Sequence, residues 1–516
     1  MTFRNHFPFV LLFLAAPALV NAQENITGPE AAGAAREQSA AEAATYRLHT
    51  YPVPSDLRLE ASGVCVLPDG RLAVGIRKGE VWILENPLLE SDRAADYHWH
   101  RFASGLHEPC GLTWHDGALY TSQRSEITRL EDGDGDGVAD AYLTVAKGWG
   151  VSGNYHEYAY GPAFDAQGNL WLTLNQSMGQ GQAVAERYAK DFRWRGWAMV
   201  KPKDGPLRPA AAGLRSPMGL GTNLAGDVFV TDQQGNWWGT NPLLHLREGV
   251  FFGHAESLRD VRRPESPVKD PGKLPEKITV AEARNLVPGY QPPAVWFPYV
   301  KIGMSTTGVR CDRTAGKFGP YAGQMFIGEF TMSFISRVFL EKVRGEYQGA
   351  CFHFRSGLQC AALNLDFLSD GSLVVGESNR GWNSLGTRSF GLERLVWTGE
   401  VPFDIVSMSA RPDGFLLRFT RPVDPGAAGR PDAYAMTSYT WEYHSTYGSD
   451  EIGLAPVAVN AAEVSADGLE VRLRCEGLRE GYVHELHLPG VRDPQAKHLL
   501  HPEAYYTLNA LPEGEP

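Results

Sequence analysis

A short unit recurs six times between residues 67 and 377: an apolar end, a Gly-containing turn, and an alternating strand that finishes on a small or polar residue. It reads LPDGRLAVG from Leu67, WHDGALYTS from Trp114, FDAQGNLWLTL from Phe164, NLAGDVFVTD from Asn223, YAGQMFIGEF from Tyr321 and FLSDGSLVVGE from Phe367. Alternating apolar residues on both sides of such turn chemistry specify an antiparallel hairpin. The turn glycines Gly70, Gly117, Gly168, Gly226, Gly323 and Gly371 are spaced by 47, 51, 58, 97 and 48 residues. A repeat of roughly 40–50 residues with several strands per unit is the mark of a β-propeller. The long step contains one unit plus an insertion, placed at 256–292, where charge and Pro accumulate, and read as an excursion between blades. Six hairpins therefore predict a six-bladed β-propeller over residues 46–400, closing near Gly399.

Beyond Val401 the pattern changes. Alternating strands such as Phe415–Phe419 and Val471–Leu473, with turns at Pro412-Asp413-Gly414 and Ala466-Asp467-Gly468, predict an Ig-like β-sandwich over 403–516. It would serve as a carbohydrate-binding module, a spacer or a structural buttress. The expected fold is thus all-β, a propeller followed by a small sandwich.

At the other end, Arg4 precedes the apolar run Phe7–Val20, and Val20-Asn21-Ala22 fits a small-residue cleavage site. This predicts a signal peptide over 1–22 and a mature protein starting near Gln23, periplasmic or extracellular. The run is too short for a membrane span, and no transmembrane segment is expected. Residues 23–45, rich in Ala, Glu and Gln, read as a disordered leader or a frayed helix. The net charge of −12 and the lack of a basic stripe exclude a nucleic-acid surface. The six cysteines fit neither a zinc site nor the CxxCH of a covalent haem.

Two regions carry candidate chemistry. In Asp132-Gly133-Asp134-Gly135-Asp136-Gly137, carboxylates alternate with Gly as in a calcium loop, with Val138 and Asp140 completing the ligand set. The twelfth position is Leu143, so the bidentate Glu of an EF-hand is missing. This site reads as structural. The second region runs from LRSPMGL, Leu214–Leu220, through TDQQGNWWGTN, Thr231–Asn241, to GVFFGH, Gly249–His254, with Arg215 in a connection that can open on the central channel. His156 precedes the third hairpin and has no counterpart ahead of the others.

In combination, the DGDGDG connection, the RSPMGL run and the QGNWWGTN run resemble the soluble glucose/sorbosone dehydrogenase family, six-bladed propellers that use pyrroloquinoline quinone and calcium. The likeness covers residues 46–400 and is nearest to an exported, membrane-bound or haem-associated branch, here without the cytochrome. It implies an oxidoreductase acting on a small-molecule sugar or polyol, with His156 as base, Asn175 in the place of the carboxylate that orients it, and Arg215 on the substrate or cofactor. It also implies that Gln233, Gln234 and Gly235 hold the cofactor calcium through backbone carbonyls. Without a haem motif, electrons would pass to a separate c-type cytochrome or quinone. The family's cofactor-binding Lys has no counterpart in Met332–Ser336, and its paired Arg residues fall on Ala361-Ala362-Leu363-Asn364. Two other readings stay open: a non-catalytic calcium-stabilised propeller that binds carbohydrate or a partner protein, and a calcium-dependent hydrolase or lactonase built on Glu329, Glu377 and Asn175.

Overall fold

The computed structural model describes residues 38–178 and 193–514. The expected signal peptide and residues 23–37 of the expected leader lie outside the described residues. The third hairpin shows how sequence becomes structure. Strands Ala159–Phe164 and Leu170–Leu174 pair in register with Ala163 opposite Trp171. Asp165 builds the turn: its carboxylate accepts from the Asn169 N–H at 2.8 Å and from the Trp171 indole at 2.9 Å, while its carbonyl accepts from Gly168 N–H at 3.0 Å. Every residue of Leu170–Leu174 is buried, as expected of a strand covered on both faces by adjacent sheets.

Six sheets of this kind ring the molecule, so the fold is an all-β, six-bladed propeller carrying a β-sandwich. Blade one holds strands Ala61–Val66, Leu72–Ile76, Glu80–Leu84 and Trp99–Ala103, and blade two runs from Leu112–His115 to Ala141–Lys147. Blade three ends on Arg208–Ala212, and blade four runs from Leu220–Thr222 to Val295–Phe297. In blade six the outermost strand is N-terminal: Tyr46–Thr50 pairs with Phe390–Trp397, Tyr46 opposite Trp397, which closes the ring. Glycines make the ring tight where neighbouring inner strands meet. A Cβ on Gly111 (φ +112°) would lie 2.3 Å from the Gly161 carbonyl oxygen, and one on Gly219 would lie 1.8 Å from that of Thr307.

Three expectations change. First, the insertion lies within blade four, between strands Asn241–His245 and Val295–Phe297, not between blades. It carries a short helix, Val280–Leu286, capped by Thr279 and Glu282, and a two-residue strand, Ile278–Thr279, that pairs with Glu442 and Tyr443 of the sandwich. Second, the leader is ordered where it is described. Residues 38–43 are helical, and the carboxylate of Glu42 is fully buried. It accepts from Ser356 N–H at 2.6 Å and lies 3.1 Å from His501 Nε2 and 3.4 Å from the Arg355 guanidinium. This turn is fixed by one charged side chain reaching buried partners.

Third, the sandwich is fused to the propeller and does not merely follow it. Its strand Glu503–Leu508 pairs with the outer strand of blade five, Glu346–Arg355, with Gly349 opposite Thr507. Blade five and one face of the sandwich are therefore a single nine-stranded sheet; the other face holds Ile405–Arg411, Gly414–Phe419, Glu470–Glu476 and Ala458–Val464. The largest apolar cluster runs without a break from Trp197, Phe229 and Trp296 in the propeller to Tyr439, Trp441 and Tyr443 in the sandwich. Each such large side chain, fully buried, contributes about 1.5–3 kcal/mol. The six cysteines are free, and all but the half-buried Cys475 are buried, so no disulfide supplements this core.

Candidate functional site

The inner strands and the connections at one rim enclose a cavity of about 1020 Å³. Of the residues singled out above, His156, Asn175, Arg215, Gln233 and Gln234 line it. An imidazole from blade three and a guanidinium from the approach to blade four therefore share one chamber, and the Arg215 charge reaches His156.

Local bonding explains how each is held. Asn154 Oδ1 accepts from the His156 N–H at 2.9 Å, the His156 carbonyl accepts from Tyr158 N–H at 2.8 Å, and the edge of Tyr155 meets the imidazole at 5.4 Å. Neither ring nitrogen hydrogen-bonds to a described residue, and His156 lines the cavity. Asn175 does not orient the ring. Its amide donates to Ser216 Oγ at 3.1 Å, and its buried Oδ1 has no partner. The amide is one residue beyond the hairpin and turns toward blade four, where the Ser216 hydroxyl is available.

Arg215 is placed by Asp232, whose buried carboxylate accepts from the N–H groups of Arg215 (2.7 Å), Ser216 (2.6 Å) and Gln233 (2.7 Å). Burial pushes Asp232 up to about 6, opposed by these three donors. The guanidinium crosses above Gly235, where a Cβ would sit 2.0 Å from Arg215 Nε, and lies 5.2 Å from the Tyr447 ring centroid. Among the described residues it has no carboxylate partner. In Gln233–Gly235 the Gly235 carbonyl already accepts from Trp238 N–H (3.1 Å) and Gly448 N–H (3.0 Å). The carbonyls of Gln233 and Gln234 receive no donor among the described residues.

Other rim carboxylates are spent on structure. Glu157 accepts from Ser152 N–H (2.6 Å), Ser152 Oγ (2.5 Å) and Ser177 Oγ (2.6 Å). Glu329 accepts from the N–H groups of Met304, Ser305 and Met332, and burial pushes it up to about 7. Glu377 is buried against Cys360, one oxygen unpartnered, and burial followed by the neighbouring Glu393 pushes it well above the carboxylate range. Of Glu329, Glu377 and Asn175, only Asn175 lines the cavity.

The charge of the chamber is opposite to that of the chain. Arg77, Arg215, Arg310 and Arg380 line it, and among the described residues no Asp or Glu does. Arg77 and Arg124 flank Glu108, and Arg380 reaches Glu60 at 2.7 Å. Among the side chains of the wall that sequence reading missed are Arg77, Arg310, Tyr158 and, from the sandwich, Tyr447. For Tyr447 the available signal was an aromatic residue in a polar turn, HSTYGSD, ahead of Gly448 at φ +65°. Nothing local shows that this turn returns to the propeller.

Pyrroloquinoline quinone carries three carboxylates, and a positive chamber without protein carboxylates suits that charge. The cations on the wall are Arg77, Arg215, Arg310 and Arg380, and of the two stretches named above only Ala361-Ala362-Leu363-Asn364 reaches it, through the neutral Leu363 and Asn364. The two free carbonyls of Gln233 and Gln234 are hard oxygen donors of the kind calcium takes.

The acidic loop is remote from this chamber. It joins strands Glu126–Glu131 and Ala141–Lys147 of blade two, and none of its residues lines the cavity. Carboxylate oxygens of Asp132, Asp134 and Asp136 lie within 4.8 Å of one another. Asp140 accepts from Gly133 N–H at 2.7 Å and thereby closes the loop, and Val138 is exposed at its tip.

The family model for a domain of unknown function, DUF7133, matches residues 66–351. The chain belongs to the DUF7133 family. No curated protein matches it. Among solved structures, this DUF7133 propeller is similar to the PQQ-bound form of an aldose sugar dehydrogenase from Streptomyces coelicolor, at 14% identity over 68% of this chain and 99% of that one, with a TM-score of 0.44. It is also similar to the PQQ domain of a pyranose dehydrogenase from Coprinopsis cinerea, at 12% identity over 68% and 97% with a TM-score of 0.45. A gluconolactonase from Xanthomonas campestris matches at 16% identity over 69% and 93%, with a TM-score of 0.38. Among the described residues, no helix is long and apolar enough to cross a membrane.

Proposed function

We propose that the chain is an oxidoreductase of sugars or polyols and that His156 is its base. The observation that carries this reading is a half-buried imidazole, with no protein partner on either ring nitrogen, facing a chamber that also presents an unpaired guanidinium. Burial, then the charges of Arg215 and Arg124, hold this imidazole below its ordinary range. It is therefore neutral at neutral pH, the form a general base requires. One ring nitrogen takes the proton of a hydroxyl as the hydrogen on the same carbon leaves as hydride, and the product is a carbonyl or, from a cyclic hemiacetal, a lactone. Arg215 orients the sugar, and Arg77 with Arg380 would hold the carboxylates of pyrroloquinoline quinone. That cofactor, when bound, supplies the hydride acceptor, and a separate cytochrome or quinone would then reoxidise it. A signal peptide suits this chemistry to an exported protein.

The test is reconstitution with calcium and the quinone, followed by dye reduction with a panel of aldoses and polyols. Activity that falls about 10²–10⁴-fold in His156→Ala supports the reading. Hydrolysis of aldonolactones without dye reduction would replace it with a lactonase, and glycan binding without any turnover would replace it with a binding protein.

A further inference from the structure

We infer that the sandwich completes the sugar site: Tyr447 and Arg215 form a subsite for a saccharide that carries an anionic substituent, a carboxylate or a sulfate ester. The inference rests on the sugar-directed reading above and names its substrate class.

The sandwich turn is built into the rim. Trp237 N–H donates to the His444 carbonyl at 2.8 Å, Asn236 Nδ2 donates to the Ser445 carbonyl at 2.8 Å, and Gly448 N–H donates to the Gly235 carbonyl at 3.0 Å. Gly239 lets the two segments meet, since a Cβ there would lie 2.3 Å from the Trp441 Cβ. These contacts fix the backbone on both sides of Tyr447 and leave its ring 53% exposed on the cavity wall. The Arg215 guanidinium lies over this ring, 5.2 Å from its centroid, and a pyranose would pack its C–H face on the ring surface that the guanidinium leaves open. Trp382 and Tyr155, 66% and 47% exposed, also line the cavity.

The charge argument is independent. In a chain of net charge −12, four guanidiniums and no carboxylate line this cavity among the described residues. Arg77 and Arg380 have carboxylate partners behind the wall, and Arg310 pairs with Asp366 at 2.5 Å. Arg215 forms no ion pair among the described residues, although its charge reaches Asp232 and Glu256, so its planar fork over the aromatic ring can still take an oxyanion. A neutral sugar would leave that cation without a direct ion pair.

The experiment measures sugar binding by calorimetry and turnover by dye reduction, on the full chain loaded with calcium and quinone. Glucose is compared with glucuronate and with glucose 6-sulfate, the last two separating carboxylate from sulfate. The inference predicts at least tenfold tighter binding of one acidic sugar over glucose. It predicts that Tyr447→Ala weakens that sugar about tenfold, that Tyr447→Phe restores it, and that Arg215→Gln removes the preference for charge. Circular dichroism of each variant checks that the fold is kept. Equal binding of all three sugars, or binding unaffected by both Tyr447→Ala and Arg215→Gln, overturns the subsite. Binding with this pattern but without dye reduction keeps the subsite and removes the oxidoreductase assignment. Dye reduction with no acidic preference does the reverse.

Discussion

His156 owes its chemistry to what surrounds it rather than to what holds it. No carboxylate raises its basicity, and burial with two guanidiniums lowers it. The neutral form therefore persists to lower pH than for a free imidazole, and the acid limb of kcat/KM should lie below the ordinary imidazole value of about 6.5. Arg215→Gln removes one positive charge, raises the His156 pKa and moves that limb upward. A pH–rate profile of the two proteins checks both statements, and an unshifted limb would mean that another group is the base. The place of His156 and Arg215 at the cavity was legible because both flank repeated strands whose geometry a propeller dictates. The role given to Asn175 was not, because a side chain beyond a strand end can turn either way, and the Ser216 hydroxyl that takes its amide is 41 residues distant.

The elements show the same division between local and remote causes. The acidic loop of blade two was legible because its carboxylates are two residues apart and the loop's own N–H groups bind them. The wild type should show a calcium-dependent rise in melting temperature, and Asp134→Asn with Asp136→Asn should abolish it while leaving sugar binding at the chamber unchanged. Differential scanning calorimetry with and without calcium reads this. The Glu42 turn was illegible because its partners, Arg355, Ser356 and His501, are more than 300 residues away. Removing one member of a buried charged pair strands the others at a cost of about 3–5 kcal/mol. Glu42→Ala should lower stability by that order in urea titration, although Glu42 is remote in sequence from every blade it touches.

At the scale of the molecule, the repeat announced the ring and the change of pattern after Val401 announced a second module. The fusion of the two could not be read, because pairing between Glu346–Arg355 and Glu503–Leu508 depends on an edge that every propeller sheet also has. Truncation after Gly399 should therefore expose that edge and the buried Ala350 and Phe352, and yield aggregated protein rather than a free propeller. Size-exclusion chromatography decides it; a monodisperse, folded fragment would show two separable domains. Buried histidines set the acid limit of the whole chain. Burial holds both His254 and His484 down to about 3. The unfolded chain protonates first, so the stability these residues contribute is complete above about pH 6.5 and is lost as pH falls toward that value. The urea midpoint should fall over that window, and His484→Gln should reduce the slope. The central claim, that a free imidazole meets the sugar in one chamber with Arg215, is tested most directly by NMR titration of ¹⁵N-labelled His156 with and without saturating sugar. The account predicts a titration below the ordinary imidazole range that shifts when the sugar binds. An ordinary titration that the sugar leaves unchanged would contradict it.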